Sequence, residues 1–219
     1  AITLATLAPL TRVTPGMLAG TVKIIAYAVP GAALAAAEAV AAGAVRVLPV
    51  TFADASLILT DAPGQDEKLI AKGQGAVAKR LAALGMRLAE VRRVPHEEGA
   101  IAKAIAEAEG SMILILTGAA TSDIDDDAPA ALRMAGGVVT RFGMPVDPGN
   151  LLFLGTLGNR PVIGLPGCAR SPALNGADWV LERLACGLTV TDADIAAMGV
   201  GGLLKEIPIR PQPREGRGG

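Results

Sequence analysis

The chain has 219 residues, 51% of them hydrophobic but only 2% aromatic, and a formal net charge of −1. Its 20 basic residues are scattered among 21 acidic ones, which excludes a nucleic-acid surface built on a basic patch. No apolar run reaches the roughly 20 residues that span a bilayer, no signal peptide is visible, and two cysteines make no disulfide framework, so no membrane partner is expected and a cytoplasmic location is.

In chain order, residues 2–7 alternate apolar side chains with threonines, as a half-exposed strand does. Thr14-Pro15-Gly16 is a turn signal, residues 18–29 read as a second strand, and Pro30-Gly31 breaks it. An alanine-rich helix over 32–42 is closed by Gly43, and 45–50 reads as another strand. Residues 1–54 are therefore expected to form a small α+β appendage that serves packing. The first residue is Ala, and strand-like sequence starts at once, which reads as a piece cut from a longer protein.

From Ser56 onward strands and helices alternate. Residues 57–59 are a short apolar strand, Leu69, Ile70, Val77, Leu81 and Leu84 mark one helix face ended by Gly85, and 88–94 is the next strand. Ile101, Ala104, Ile105 and Ala108 mark a second helix, and 112–116 is a continuous apolar run of the kind buried in a parallel sheet. A short helix over 128–135, a strand over 137–141, and a hairpin of 151–154 with 161–164 around Gly158-Asn159 follow. This order implies an α/β domain over 55–207 with helices on both faces of the sheet. The prolines, charges and glycines of 208–219 read as a linker-like tail. In such sheets ligands sit beyond the carboxyl ends of the strands, which selects three loops, 60–67, 117–127 and 166–171.

The last of these loops lies in Gly164-Leu165-Pro166-Gly167-Cys168-Ala169-Arg170-Ser171-Pro172. Leu174, Ala177, Leu181 and Leu184 predict a helix over 172–185, with Ser171 as its N-cap and Pro172 at its first position. A strand, a glycine turn, a helix N-terminus and Arg170 together make an anion site, and a tight turn with no ligand fits the same residues equally. The loop Thr117-Gly118-Ala119-Ala120-Thr121-Ser122-Asp123-Ile124-Asp125-Asp126-Asp127 ends in four carboxylates within five positions. Such carboxylates repel unless a cation sits among them, and Mg²⁺ held together with a substrate phosphate would relieve this, whereas a solvated acidic loop would need no ion. His96, the only histidine, fits a surface or capping role better than a base, and Cys168 fits a packing role. The fingerprints of dinucleotide and P-loop sites are missing.

Thr117-Gly118, with Asp126 and then Pro129, resembles the Thr-Gly-Gly…Asp-x-x-Pro loop of the molybdopterin-binding domain shared by molybdopterin adenylyltransferases and molybdenumtransferases. Leu165-Pro166-Gly167 followed by Ser171 is similar to the molybdenumtransferase motif Leu-Pro-Gly-Asn-Pro-x-Ser. The stretches 21–25, 91–99, 142–150 and 164–172 resemble a bacterial group in which this domain precedes a nucleotidyltransferase similar to molybdenum cofactor cytidylyltransferases. The resemblance implies a three-layer α/β/α sandwich with a mostly parallel sheet. It implies molybdopterin, or its molybdenum-bearing form, as ligand, held by Thr117, Gly118, Ala119, Pro166, Gly167, Arg170 and Ser171. By the same resemblance Asp126 and Asp123 are the catalytic and metal-binding residues, serving Mg²⁺ with a nucleotide. The second glycine of Thr-Gly-Gly is Ala119 here, and Cys168-Ala169 replace Asn-Pro, departures that bear on catalysis more than on binding.

Three functions follow. The first is a domain that binds molybdopterin and presents it to an appended nucleotidyltransferase lying beyond Gly219. The second is an active Mg-ATP-dependent adenylyltransferase or molybdate-insertion enzyme. The third is a non-catalytic oligomerisation scaffold, since the resemblance implies a dimer or trimer in any case.

Overall fold

Three central strands set the frame, because both faces of each are apolar and neither can meet water. The computed structural model describes residues 2–62 and 64–204. The linker reading of 208–219 lies outside the described residues. Two compact units divide the chain, Ala1–Pro49 and Val50–Gly219.

In the first unit β1 (Ile2–Thr6) pairs antiparallel with β2 (Gly20–Ile24), from Ile2 opposite Ile24 to Thr6 opposite Gly20. The helix α1 (Gly31–Ala41) follows. The strand expected over 18–29 is shorter, its ladder running from Gly20 opposite Thr6 to Ile24 opposite Ile2. The strand expected over 45–50 is not formed, and these residues join neither sheet. No described residue of this unit is buried.

The second unit runs β3 (Asp54–Asp61), α2 (Glu67–Ala83), β4 (Arg87–Pro95), α3 (Glu98–Ala106), β5 (Ile113–Leu116) and α4 (Asp127–Met134). It continues through β6 (Val138–Phe142), β7 (Phe153–Leu157), β8 (Arg160–Leu165), a 3₁₀ turn (Gly167–Arg170), α5 (Gly176–Ala185) and α6 (Asp192–Ala197). Its six strands lie in the order β4-β3-β5-β8-β7-β6. The first four are parallel, and β7 and β6 add antiparallel through the hairpin that closes with Leu157 opposite Arg160.

Period-two alternation sorts the core into two halves. Leu57, Leu59, Leu114, Leu116, Ile163 and Leu165 face α2 and α5. Ile58, Ile113, Ile115, Val162 and Phe153 face α3 and α4. This is a three-layer α/β/α sandwich with a mostly parallel sheet. Gly164 lies opposite Phe153, and a Cβ there would stand 1.9 Å from the ring, so only glycine admits the large aromatic to this layer. Among the described residues, no helix is long and apolar enough to cross a membrane.

Helix boundaries follow local chemistry. Asp66 caps α2 by accepting the Lys68 N–H at 2.9 Å, and Gly85, with φ of +72°, lets the chain leave. The helix expected over 172–185 begins instead at Gly176, because the cap is Asn175, which closes a capping box with Asp178. Ser171 is extended and closes the 3₁₀ turn, its N–H donating to the Cys168 carbonyl, and does not open α5. The sequence pattern also misses α6, although Thr191 and Asp194 spell a capping box at its start.

At the amino end of the sheet, Ser56 on β3 accepts the Gly110 N–H at 2.8 Å and donates to Glu90 of β4 at 2.6 Å. Burial alone would push the Glu90 carboxyl up; hydrogen bonds from Ser56, the Glu109 N–H and Arg92 outweigh it and hold the group below its ordinary value of 4.5. A lowered folded value means that these contacts stabilise fully above the ordinary value and fade as pH falls through the folded one. Glu90→Gln is therefore expected to lose less of its stability between pH 6 and pH 3 than the parent chain, as read by urea midpoints at each pH.

Candidate functional site

The order of strands picks out where a ligand crevice would lie. From β3 the chain crosses by α2 to the edge strand β4, then returns by α3 over the other face to β5, on the far side of β3. The winding thus reverses between β3 and β5, and in open α/β sheets ligands bind beside such a reversal, outside the carboxyl ends of the strands. Because β3, β5 and β8 are adjacent and parallel, the loops that follow them leave the same edge of the sheet.

Two guanidinium groups hold these loops. Arg80 of α2 has a side chain only 9% exposed. Its Nε donates to Asp178 at 2.5 Å, Nη1 to the Ala169 carbonyl at 2.7 Å, and Nη2 to the carbonyls of Ser171 and Ala173 at 2.9 and 3.2 Å. The carbonyls of Ser171 and Ala173 are thus engaged by a side chain from another element, which works against a helix over 171–174. Arg170 runs its stem across Gly73 of α2, where a Cβ would stand 3.3 Å from its Cγ. Its Nη2 donates to the Thr117 carbonyl and its Nη1 to that of Gly167, joining the β8 and β5 loops. Desolvation on burial lowers its pKa from the usual arginine value.

The predicted binding residues fall into two groups. Thr117, Gly118 and Arg170 are brought together, while Ala119 and Gly167 are exposed beside them and Pro166 is buried at the end of β8. Thr117 Oγ1 donates to the Ala119 carbonyl at 2.6 Å, tightening the turn. The main-chain N–H groups of Ala119 and Ala120 make no hydrogen bond among the described residues. Ser171 Oγ accepts the Ala173 N–H at 3.3 Å, and it is Asn175 and Asp178 that close the start of α5. The helix N-terminus expected beside Ser171 therefore lies at Asn175 and Gly176 instead. Cys168, expected to pack, is exposed, and its Sγ accepts from Asn175 Nδ2 at 3.1 Å.

Asp123 and Asp126 bond within their own loop. Asp126 Oδ2 accepts the N–H groups of Ser122 and Asp123 at 2.5 and 3.0 Å, and Asp123 Oδ1 accepts that of Asp125 at 2.9 Å. Asp125 pairs with Arg133 at 2.9 Å. Among the described residues, no group of three or more His, Cys, Asp or Glu side chains is placed to hold a metal ion. A cation on Asp123 and Asp126 would thus need ligands from a bound molecule and from water.

Sequence reasoning missed Arg80 and Thr60. The first had a signal, a cation among the buried Ala76, Val77 and Leu81 of α2. Thr60 is 2% exposed at the end of β3, and its Oγ1 accepts the Gly118 N–H at 2.7 Å. Beyond β3 and β4 lies a cavity of about 410 Å³ walled by Asp61, Ala62, Arg93, Pro95 and His96. Arg93 there is held firmly charged by Glu67 and Asp61.

The fold defines an open α/β domain with helices on both faces of its sheet. The family model described as "Probable molybdopterin binding domain" (MoCF_biosynth) matches residues 67–185, from the start of α2 to the end of α5. That is more than half of the chain, and the chain belongs to this family of molybdenum cofactor biosynthesis domains. Among solved structures it is similar to the molybdopterin biosynthesis moea protein from Pyrococcus horikosii, with 22% identity and a TM-score of 0.45. That match covers 62% of this chain and 36% of the other, so this chain spans about a third of that protein's length. No curated protein matches the chain.

Arg80→Met would strand Asp178 and three loop carbonyls at a nearly buried position. It is expected to destabilise the domain by about 3 kcal/mol in urea unfolding, in the range for removing one partner of a buried pair. Arg80→Lys, which cannot fork to several acceptors, recovers less than half of that loss.

Proposed function

We propose that the chain binds molybdopterin in the crevice at the carboxyl ends of β3, β5 and β8. One observation carries this reading: the segment matched by the family model includes the two loops, after β5 and after β8, that Arg170 ties together at the winding reversal. The chemistry of the loops fits such a ligand. Gly118, Ala119 and Ala120 bring nothing larger than a methyl to the crevice, so a planar ring can approach the main chain. The free N–H groups of Ala119 and Ala120 would donate to an anionic or ring acceptor. The charge of Arg170, immediately behind, would favour a phosphate over water. In this reading Thr117, Gly118, Ala119, Pro166 and Gly167 form the floor of the site, Ser171 lies at its rim, and an appended nucleotidyltransferase receives the bound pterin.

Asp126 organises the acidic loop through Ser122 and Asp123, and it retains one carboxylate oxygen for Mg²⁺ of a nucleotide state. Calorimetric titration separates the two uses. Molybdopterin binding that survives in Asp126→Asn, with no binding of ATP·Mg²⁺, is the expected outcome for a domain that binds and presents. ATP·Mg²⁺ binding that disappears in Asp126→Asn would instead identify an enzyme acting on the pterin. If the parent chain binds neither, the cofactor reading fails.

A further inference from the structure

The only histidine stands at the crevice, and neither the family nor the proposed function assigns it a role. His96 follows β4, its own N–H donates to the Asp61 carbonyl at 3.0 Å, and its side chain is 18% exposed. Its Nδ1 lies 2.8 Å from Thr60 Oγ1, and its Nε2 lies 3.5 Å from Asp127 Oδ2 at the start of α4.

The direction of each bond follows from the donors and acceptors around it. The Gly118 N–H can only donate, so Thr60 Oγ1, 2.7 Å away, accepts there. Among the described residues the Thr60 hydroxyl has no other acceptor in reach, and the Nε2 edge of the ring faces a carboxylate, so the neutral ring accepts the hydroxyl proton at Nδ1. In the neutral ring the proton therefore sits on Nε2 and faces the Asp127 carboxylate. A chain of two hydrogen bonds, Gly118 to Thr60 to His96, ties the ends of β3, β4 and β5, and the far edge of the ring faces Asp127 at the start of α4.

Gly118 is where this chain acts on the site. A Cβ on it would stand 2.6 Å from the Thr60 carbonyl oxygen and 2.7 Å from the Ala62 nitrogen. The β5 loop thus rests directly on the main chain that leaves β3, and its height in the crevice is set by that contact. We propose that His96 is a positioning residue: by holding the Thr60 hydroxyl as an acceptor, it fixes Gly118 and with it the loop that presents the N–H groups of Ala119 and Ala120. The consequence for affinity rests on the molybdopterin reading above; the positioning itself does not.

The test is amide exchange of Gly118 by NMR in the unliganded full chain. His96→Leu and Thr60→Val are expected to speed it about tenfold, the scale of one net hydrogen bond. Exchange at Leu154, in β7, reports whether the sheet is intact and is expected to stay constant. His96→Asn places an acceptor oxygen the same number of bonds from the main chain as Nδ1, and is expected to restore slow exchange. Unchanged Gly118 exchange in His96→Leu, or a His96→Asn chain that exchanges as fast as His96→Leu, would overturn the proposal. Molybdopterin affinity should fall in His96→Leu and recover in His96→Asn; if the parent chain binds no molybdopterin, the binding reading fails while the exchange data still decide the role of His96.

Discussion

Two hydroxyls on β3 carry a disproportionate share of the architecture. Ser56 and Thr60 are four residues apart, so they share a face of the strand, and both are buried. Each accepts an N–H from a glycine flanking β5, Gly110 at one end and Gly118 at the other. Each then donates a hydrogen bond toward the neighbouring strand, Ser56 to Glu90 of β4 and Thr60 to His96 just beyond its end. Both glycines are required by the same closeness, since a Cβ on Gly110 would stand 2.3 Å from the Ser56 nitrogen. A hydroxyl is the smallest group that can accept from one side and donate to the other, which is what a buried strand flanked by two parallel neighbours needs where the ladder ends.

With β3 fastened at both ends, the reversal of winding beside it becomes a rigid feature, and the remaining question is what holds the loops. Both answers are arginines. Arg80 engages three carbonyls and Asp178, and Arg170 engages two more carbonyls. A guanidinium suits this task because its donors lie in one plane and diverge, so a single side chain can satisfy several main-chain acceptors that no strand or helix reaches. The loops are consequently built from the inside, and their outer surface is left to small residues.

Most of the layer architecture was legible in the sequence, because alternation and helical spacing report burial on one or both faces. The apolar runs of β3, β5 and β8 and the helical stripes of α2 and α3 needed no tertiary information. The start of α5 was not legible, since Ser171-Pro172 is a sound local start signal and only Arg80, some ninety residues earlier in the chain, removes it. The strand expected over 45–50 shows the same limit, for pairing depends on a partner elsewhere in the chain. At the site, the loops were legible and the fastenings were not. His96 was visible as a lone histidine, yet its bond to Thr60 depends on the register that places Thr60 of β3 beside Val94 of β4.

The acidic loop shows why composition alone overstates the need for a cation. Four carboxylates in five positions repel when each faces only the others. Here Asp126 faces two main-chain N–H groups, Asp123 one, Asp125 the Arg133 guanidinium, and Asp127 the ring of His96. Each contact at this exposure is worth on the order of 1 kcal/mol or less, but each also turns a carboxylate away from its neighbours. The loop is therefore complete as folded, and the premise that Mg²⁺ is required to gather it falls away. Any cation at Asp123 and Asp126 would have to arrive with the phosphate that needs it, which makes metal binding a property of the liganded domain and separates it from the folding of the loop.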